Sequence, residues 1–170
     1  GKSALARAFT GEPSWWSGDR KTTLEKVLCV SFEDELSLLE REIYEDDSEF
    51  LDRVDQGRTT RELVTELLND SVNLDAIISM MQLEQFIDTG FRILSTGERR
   101  RMMIARALAQ APDMLVLDEP FDGLDVAFTH HLEELIAELS GKFPVVLIVN
   151  RLSELGSHIT HLAQLSQGEV

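Results

Sequence analysis

The sequence predicts an α/β fold in which a mainly parallel sheet carries an inserted α-helical subdomain. Residues 114–117 and 145–149 form two wholly apolar runs, and a helical pattern fills the interval between them. Strands of a parallel sheet are buried on both faces, so they have this continuous apolar composition and are joined by crossover helices. Residues 33–110 have mostly helical patterns and are predicted to form the insertion, which leaves residues 1–32 and 111–170 as the α/β core.

The first third of the chain is predicted to hold a helix, a strand and a second helix. Residues 2–9 have small and apolar side chains at helical spacing and stop before Gly11, a residue type that commonly ends helices. Residues 24–32 are predicted to form a strand. Residues 33–52 are acidic and are predicted to contain at least one amphipathic helix. The apolar residues that share one face of it are Leu36, Leu39, Ile43 and Phe50.

Two further helices are predicted in the middle of the chain. The pattern breaks at residues 56–58, where a glycine stands between two polar residues. Thr59 and Glu62 then have the spacing of a capping box, in which each side chain satisfies the other residue's backbone N–H at a helix start. The next helix is predicted to follow Asn73. Its apolar positions are Leu74, Ile77, Ile78 and Met81.

From Ser95 onward, helices and strands alternate. Residues 97–109 are predicted to form a helix ahead of the first apolar strand. Residues 126–139 are predicted to form the crossover helix between the two strands. Its inward positions are Phe128, Leu132, Leu135, Ile136 and Leu139. Residues 159–165 are predicted to form a last strand before a turn at Gly168.

Composition limits the classes of function. The formal charge of −15 argues against binding to nucleic acid or to an anionic membrane, because binding to a phosphate backbone needs clustered Lys and Arg. No apolar run approaches the ~20 residues that span a bilayer, so a membrane role would require a separate subunit. The single cysteine, Cys29, cannot form an internal disulfide. It is predicted to pack in the core of a protein from a reducing, cytoplasmic compartment.

Two short motifs have the residue types of a phosphate and Mg²⁺ site. Gly1, Lys2 and Ser3 match the end of a phosphate-binding loop of the form G-x-x-x-x-G-K-[ST]. In such a loop backbone N–H groups face the phosphates, the lysine neutralises their charge and the hydroxyl holds Mg²⁺. Asp118 and Glu119 end the first apolar strand, where Asp118 would bind Mg²⁺ through water and Glu119 would orient or deprotonate an attacking water. Acidic residues that merely end a strand are the structural alternative.

A third motif precedes a basic helix. Ser95 and Glu98 have capping-box spacing, so a well-capped helix start is one explanation. The other explanation is an anion site formed by Ser95 and the Gly97 amide at the positive end of the helix dipole. Capping and phosphate binding use the same physics, so this motif by itself supports both.

Four motifs follow one another along the chain: Gly1-Lys2-Ser3, Leu94-Ser95-Thr96-Gly97-Glu98, Leu117-Asp118-Glu119-Pro120 and Asp122-Gly123-Leu124-Asp125. Together they resemble the ATP-binding cassette (ABC) ATPase family over essentially the whole chain. The resemblance implies a P-loop NTPase core that binds Mg-ATP and hydrolyses it between two cassettes packed head-to-tail. In that family other strands and the glycine-rich half of Walker A precede the glycine matched by Gly1. We therefore expect an N-terminally truncated cassette that binds ATP poorly by itself.

The resemblance also implies a role for each matched residue. Glu119 matches the catalytic glutamate, and Asn150 stands where a histidine usually contacts the γ-phosphate. The residues implied in nucleotide binding are Gly1, Lys2 and Ser3 of Walker A, Glu33 of the Q-loop, Ser95, Thr96 and Gly97 of the signature, Asp118 of Walker B and Asp125 of the D-loop. The implied Mg²⁺ ligands are Ser3, Asp118 and Glu33.

Four positions depart from the family's pattern. Thr96 replaces a glycine, Glu98 replaces a glutamine, and Glu33 also stands where glutamine is usual, although a carboxylate still ligates Mg²⁺. Asn150 is the sharpest departure, because asparagine donates a hydrogen bond but cannot become cationic. Losing a positioned contact to the transferring phosphoryl group costs roughly 2–4 kcal/mol in the transition state, so we expect intact ATP binding with slow hydrolysis.

A narrower resemblance, to the first cassette of the tandem-cassette ATPases of molybdate operons, rests on residues 1–8, 57–60, 94–98, 119–126 and 150–151. It implies an ATPase that energises or regulates molybdate-type transport, with a second cassette fused in the same chain or supplied by a homodimer, and with a membrane permease subunit. The alternative is a soluble tandem-cassette ATPase without a membrane partner, acting as a regulatory or assembly switch. Both are cytoplasmic, the first at the inner face of the plasma membrane. A DNA-repair cassette is disfavoured by the negative charge and by the absence of a long coiled-coil insertion.

Overall fold

The computed structural model describes residues 2–11, 23–45 and 54–164. Its α-helices are α1 (Lys2–Thr10), α2 (Phe32–Tyr44), α3 (Thr60–Thr65), α4 (Leu74–Met80), α5 (Thr96–Leu108) and α6 (Val126–Ser140). Its strands are β1 (Val27–Val30), β2 (Met114–Asp118) and β3 (Val145–Ile148), and short 3₁₀ turns cover Phe91–Ile93 and Leu152–Glu154. None of the helices in these three ranges is long and apolar enough to cross a bilayer.

Contacts divide the chain into two compact units. The sheet unit comprises Gly1–Ser31, Pro112–Phe121 and Val126–Val170, and the helical unit comprises Phe32–Ala111 together with the loop Asp122–Asp125. The loop therefore belongs to the helical unit although the residues on both sides of it belong to the sheet unit.

The sheet unit is built on three parallel strands in the order β1-β2-β3. Val27 pairs with Met114 at one end, and Asp118 pairs with Ile148 at the other. The parallel pairing confirms the predicted sheet. All five residues of β2 are buried, as predicted for a strand covered on both faces, whereas β3 and most of β1 are only half-buried. The partly buried Cys29 packs against the core of this sheet, as predicted.

Two helices cover the sheet. Helix α1 contacts all three strands, and its residue Ala6 is buried with Met114 and Val116. The predicted inward positions of α6 are all buried: Phe128, Leu132, Leu135, Ile136 and Leu139. Burial of each such side chain contributes about 1.5–3 kcal/mol of folding free energy relative to an exposed position. Burial of this face is therefore the main interaction that holds α6 in place.

Local side-chain hydrogen bonds start the helices of the helical unit, as the sequence predicts. Thr59 and Glu62 form the complete capping box at α3. Asn73 accepts hydrogen bonds from the backbone N–H groups of Asp75 and Ala76 at α4. The break before α3 lies at Gly57, whose φ of +73° a glycine adopts without strain.

Two predictions for the acidic segment are corrected by the structure. The first strand ends at Val30 rather than residue 32, because Phe32 already begins α2, whose first turn carries three acidic residues that interact favourably with the helix dipole. The shared apolar face of α2 is not its buried face: Leu36 is 39% exposed and Ile43 is 51% exposed. Phe50 lies outside the described residues.

The buried positions of α2 are Glu35, Leu38 and Glu42. Arg99 donates to Glu35 over 3.0 Å, and Arg58 donates to Glu42 through its side chain and its backbone N–H at 2.7–2.9 Å. A buried carboxylate is tolerated when a cation and hydrogen bonds satisfy it. Ion pairs to distant arginines, rather than the apolar face, therefore orient α2.

The predicted last strand is wrong over its described part. Residues 159–164 form no strand, and residues 160–164 are exposed. A strand needs a face to bury against the rest of the sheet, and this segment buries none.

Candidate functional site

Two acidic residues stand where β2 ends in the sheet unit. Asp118 is the last residue of β2 and only 5% exposed, and no group in the described ranges forms a hydrogen bond with its Oδ1 atom. Glu119 follows with φ of +51°, a left-handed conformation that costs a non-glycine residue about 1–2 kcal/mol. Its backbone N–H donates to the Ile148 carbonyl over 2.9 Å, which holds this bend against the end of β3.

A lysine and an asparagine meet the same edge of the sheet. Asn150 lies just beyond β3, and its side-chain NH₂ donates to Glu119 Oε1. Its Oδ1 accepts from the ammonium of Lys2, which also donates to the Val149 carbonyl over 2.9 Å. Lys2, Asn150 and Glu119 therefore form one hydrogen-bonded chain at the carboxyl ends of β2 and β3, the edge where open parallel sheets bind ligands.

The residues at this edge fit a hard divalent cation held together with phosphates. The unpartnered Oδ1 of Asp118 is a buried anionic oxygen, the ligand type that Mg²⁺ prefers. Within the described part of the chain, no group of three or more His, Cys, Asp or Glu residues is arranged to hold a metal ion by itself. A cation at Asp118 would accordingly take most of its ligands from phosphates and water. The side chain of Ser3 and all of Gly1 lie outside the part that the structure describes.

In the helical unit, the predicted signature residues form the exposed N-terminus of α5. Ser95 is the N-cap, and its backbone N–H and hydroxyl both donate to Glu98 Oε2, over 2.8 and 2.7 Å. These hydrogen bonds, assisted by Arg101, lower the pKa of Glu98. Ser95 and Thr96 are exposed and Gly97 is half-buried, so the tip offers hydroxyl and N–H groups to solvent while its capping box is complete.

The loop Asp122–Asp125 packs against this tip within the helical unit. A Cβ atom added to Gly123 would stand 2.8 Å from Thr96 Cγ2, and one added to Gly97 would stand 3.2 Å from the Gly123 carbonyl. Asp125 accepts from Arg101 over 3.0 Å. Sequence reasoning named the signature residues and the motif that contains Gly123 and Asp125, but it missed Arg101, whose partner lies 24 residues away.

The predicted site residues thus fall into two groups. Lys2, Asp118, Glu119 and Asn150 lie in the sheet unit and share one edge. The others are in the helical unit: Glu33, Ser95, Thr96, Gly97 and Asp125. Glu33 lies in the first turn of α2 and is exposed.

Comparisons with known proteins identify relatives of the chain. The family model described as "ABC transporter" matches residues 1–122. The ABC transporter ATP-binding protein ModF of Escherichia coli K12 is 37% identical over 158 residues, which cover 91% of this chain and 32% of that protein. The molybdenum import ATP-binding protein ModC of Vibrio parahaemolyticus is 32% identical over 103 residues, covering 59% of this chain and 28% of that protein. The chain therefore spans about a third or less of the length of these curated relatives.

Solved structures show the same fold. The RNase-L inhibitor superimposes with a TM-score of 0.62 at 19% identity, over 87% of this chain and 26% of that protein. An ATP-binding cassette of an ABC transporter superimposes with a TM-score of 0.54 at 24% identity, over 66% of this chain and 53% of the other. These similarities confirm the predicted α/β architecture with its parallel sheet.

Proposed function

Because the chain belongs to the ABC transporter family, we propose that it binds Mg-ATP at the carboxyl edge of its sheet and hydrolyses it at an interface with a second cassette. The observation that supports this most directly is the hydrogen-bonded chain of Lys2, Asn150 and Glu119 beside the buried carboxylate of Asp118. A cation, a general base and a metal-binding carboxylate at one sheet edge are the groups that phosphoryl transfer requires.

Each residue at the edge has a chemical task in this proposal. Lys2 places its ammonium against the β- and γ-phosphates, where charge-assisted hydrogen bonds are strongest. Glu119 orients or deprotonates the water that attacks the γ-phosphate, and Asn150 donates one hydrogen bond to the transferring phosphoryl group in the transition state. Asp118 and Ser3 would hold Mg²⁺, and the ion would supply neutralisation of phosphate charge when bound.

The signature tip completes the site of a partner molecule in this proposal. Ser95, Thr96 and Gly97 present hydroxyl and N–H groups at the positive end of the α5 dipole, and Ser95 and Thr96 are exposed. An exposed tip is suited to the γ-phosphate bound on a second cassette, with Asp125 of the adjacent loop at the same interface. The second cassette is a fused module or another copy of the chain.

For the biological role we propose a cassette that energises or regulates molybdate-type transport. The similarity to ModF and to a molybdenum import ATP-binding protein supports it. Helix α2 also leaves an apolar stripe exposed, with Phe32 at 53%, Leu36 at 39% and Ile43 at 51%. Exposed apolar side chains along one helix face favour docking of a partner, here a permease subunit at the inner face of the plasma membrane.

The alternative is a cytoplasmic tandem-cassette ATPase without a membrane partner, acting as a regulatory or assembly switch. The departure at Asn150 favours it, because a slow hydrolase keeps a long-lived ATP-bound state. Neither role involves nucleic acid or membrane insertion of this chain.

Turnover of ATP by the full-length protein, alone and with molybdate-transport membrane subunits in proteoliposomes, tests both roles. We expect Mg-dependent hydrolysis that those subunits stimulate, and Leu36→Asp should abolish the stimulation while basal turnover stays unchanged. Stimulation that survives Leu36→Asp would refute α2 as the docking face. A turnover rate that the membrane subunits do not change would support the alternative role. Absence of ATP binding would overturn the proposed function itself.

A further inference from the structure

The ammonium of Lys2 already has hydrogen-bond partners at the sheet edge. It donates to the Val149 carbonyl over 2.9 Å and to the Asn150 side-chain oxygen. Both acceptors come from the residues directly after β3, so one short segment holds the head of the lysine. A lysine has three donors and no acceptor, so these two hydrogen bonds leave one donor for a phosphate, and any further phosphate contact competes with them.

The Asn150 amide has both of its ends engaged. Its oxygen accepts from Lys2, and its NH₂ group donates to Glu119 Oε1. An amide oxygen only accepts and an amide nitrogen only donates, so this pair of partners fixes the orientation of the side chain. Asn150 therefore joins a cation to a carboxylate without carrying charge itself.

We propose that Asn150 is a positioning residue that joins Lys2 to Glu119, and that the phosphates of a bound nucleotide replace it as the partner of Lys2. The inference rests on the proposed ATP site. Phosphate oxygens attract an ammonium more strongly than neutral amide and carbonyl oxygens do, so the exchange is favourable for a nucleotide with β- and γ-phosphates. AMP lacks the phosphates that would reach the lysine and leaves the bridge in place.

The exchange has a consequence for Glu119. When Lys2 turns to the phosphates, its hydrogen bond to the Asn150 side-chain oxygen is broken. The Asn150 amide then keeps only its hydrogen bond to the Glu119 carboxylate, so its orientation is less restrained. One of the contacts of the Glu119 carboxylate is thereby weakened, which favours its movement toward the attacking water. Occupancy of the phosphate site is thus coupled to the position of Glu119 through one uncharged side chain.

This role predicts opposite effects of two substitutions on nucleotide affinity in the full-length protein. Asn150→Leu keeps the approximate volume but removes both side-chain hydrogen bonds, so Lys2 keeps only the Val149 carbonyl. The dissociation constants of ATP and ADP should therefore fall about five-fold, the equivalent of one net hydrogen bond. Asn150→Asp holds the ammonium more tightly through a carboxylate, so the same constants should rise by at least as much. The dissociation constant of AMP should stay unchanged in both variants, and Gln164→Leu, at an exposed site of the sheet unit, is the control.

Isothermal titration calorimetry of each variant with ATP, ADP and AMP gives the dissociation constants that distinguish the possible outcomes. Weaker ATP binding by Asn150→Leu would mean that Asn150 contacts the nucleotide in the bound ground state, before the transition state. Unchanged binding would mean that the hydrogen bond between Asn150 and Lys2 does not compete with the phosphates. Either result overturns the inference. In a Lys2→Met background, Asn150→Leu should have no further effect on ADP affinity, and an undiminished effect there would also overturn it. Wild-type protein that binds no ATP would instead refute the proposed function.

Discussion

The methyl group of Thr96 lies over Gly123 in the helical unit. A Cβ atom added at Gly123 would stand 2.8 Å from Thr96 Cγ2, and the φ of Gly123 is +79°. The signature threonine and the loop glycine are therefore sterically matched, because the side chain at one position occupies the space that a side chain at the other would need.

We predict that Gly123→Ala destabilises the helical unit for two reasons. The added Cβ atom would clash with Thr96 Cγ2, and an alanine in the left-handed conformation costs about 1–2 kcal/mol of folding free energy. Thr96→Ser removes the methyl group and keeps the hydroxyl, so it should recover the steric part of the loss but not the backbone part. Urea unfolding and ATP turnover of the two single variants and the double variant measure this. Additive effects would show that the two residues do not contact each other in solution, and Gly141→Ala is a control at a glycine of ordinary φ.

Glu119→Gln in the full-length protein should trap an ATP-bound closed state. Glutamine keeps the shape and still accepts from Asn150, but it cannot take a proton from water, so turnover should fall by about 10²-fold or more. Single-turnover hydrolysis and size-exclusion chromatography with Mg-ATP would detect the loss and the trapped state. Turnover equal to that of the control Glu134→Gln, on the exposed surface of α6, would remove Glu119 from the role of base.

Asn150→His should leave nucleotide affinity roughly unchanged while raising turnover. A neutral imidazole can accept from Lys2 and donate to Glu119 as the amide does, and its protonated form adds a charge near the γ-phosphate. Turnover of the histidine variant should therefore change with pH near about 6.5, and that of the wild type should not change there. A fall in turnover at every pH would mean that the asparagine itself is required.

Arg100→Met should stabilise the protein. Arg100 is 3% exposed, and its Nε and Nη1 atoms have no hydrogen-bond partner in the described part of the chain. An unsatisfied buried charged group costs about 1–3 kcal/mol, which an apolar side chain of similar length avoids.

Arg99→Met, at the neighbouring position, is the control for Arg100→Met, and it should change the free energy of unfolding in the opposite direction. Arg99 is paired with the buried carboxylate of Glu35, so its loss should cost about 3–5 kcal/mol. Thermal and urea unfolding of both variants provide the comparison. Equal destabilisation by the two substitutions would show that Arg100 pairs with a group outside the described residues.

Stability should decline in acid through the two capping boxes. Hydrogen bonds from Ser95 lower the pKa of Glu98, and hydrogen bonds from Thr59 lower that of Glu62. A lowered folded-state pKa adds stability that is present above the unfolded value of about 4.3 and is lost as pH falls through the folded value.

The free-energy difference between wild type and Glu98→Gln should therefore be largest near neutral pH and shrink as pH falls through the lowered folded-state pKa of Glu98. Urea unfolding across this range tests it, with Glu84→Gln, exposed and outside the helices, as the control. A difference that stays constant with pH would mean that the carboxylate is not held by Ser95.

The sequence alone predicted the features that depend on neighbours within a few residues. The capping boxes at Thr59 and Ser95 are hydrogen bonds between positions three residues apart. The inward face of α6 and the apolar strands follow from periodicity. Such features can be predicted without knowing the rest of the fold, because the interacting residues are close to each other in the sequence.

The tertiary structure alone decided which distant residues meet. Glu35 lies 64 residues from Arg99, and Lys2 lies 148 residues from Asn150. These pairs bury the acidic face of α2, where periodicity favoured its apolar face, and they join the phosphate-site lysine to the end of β3. An ion pair or hydrogen bond of this kind depends on the folded positions of both partners, so residue type and spacing could name the participants at the sheet edge but not their contacts.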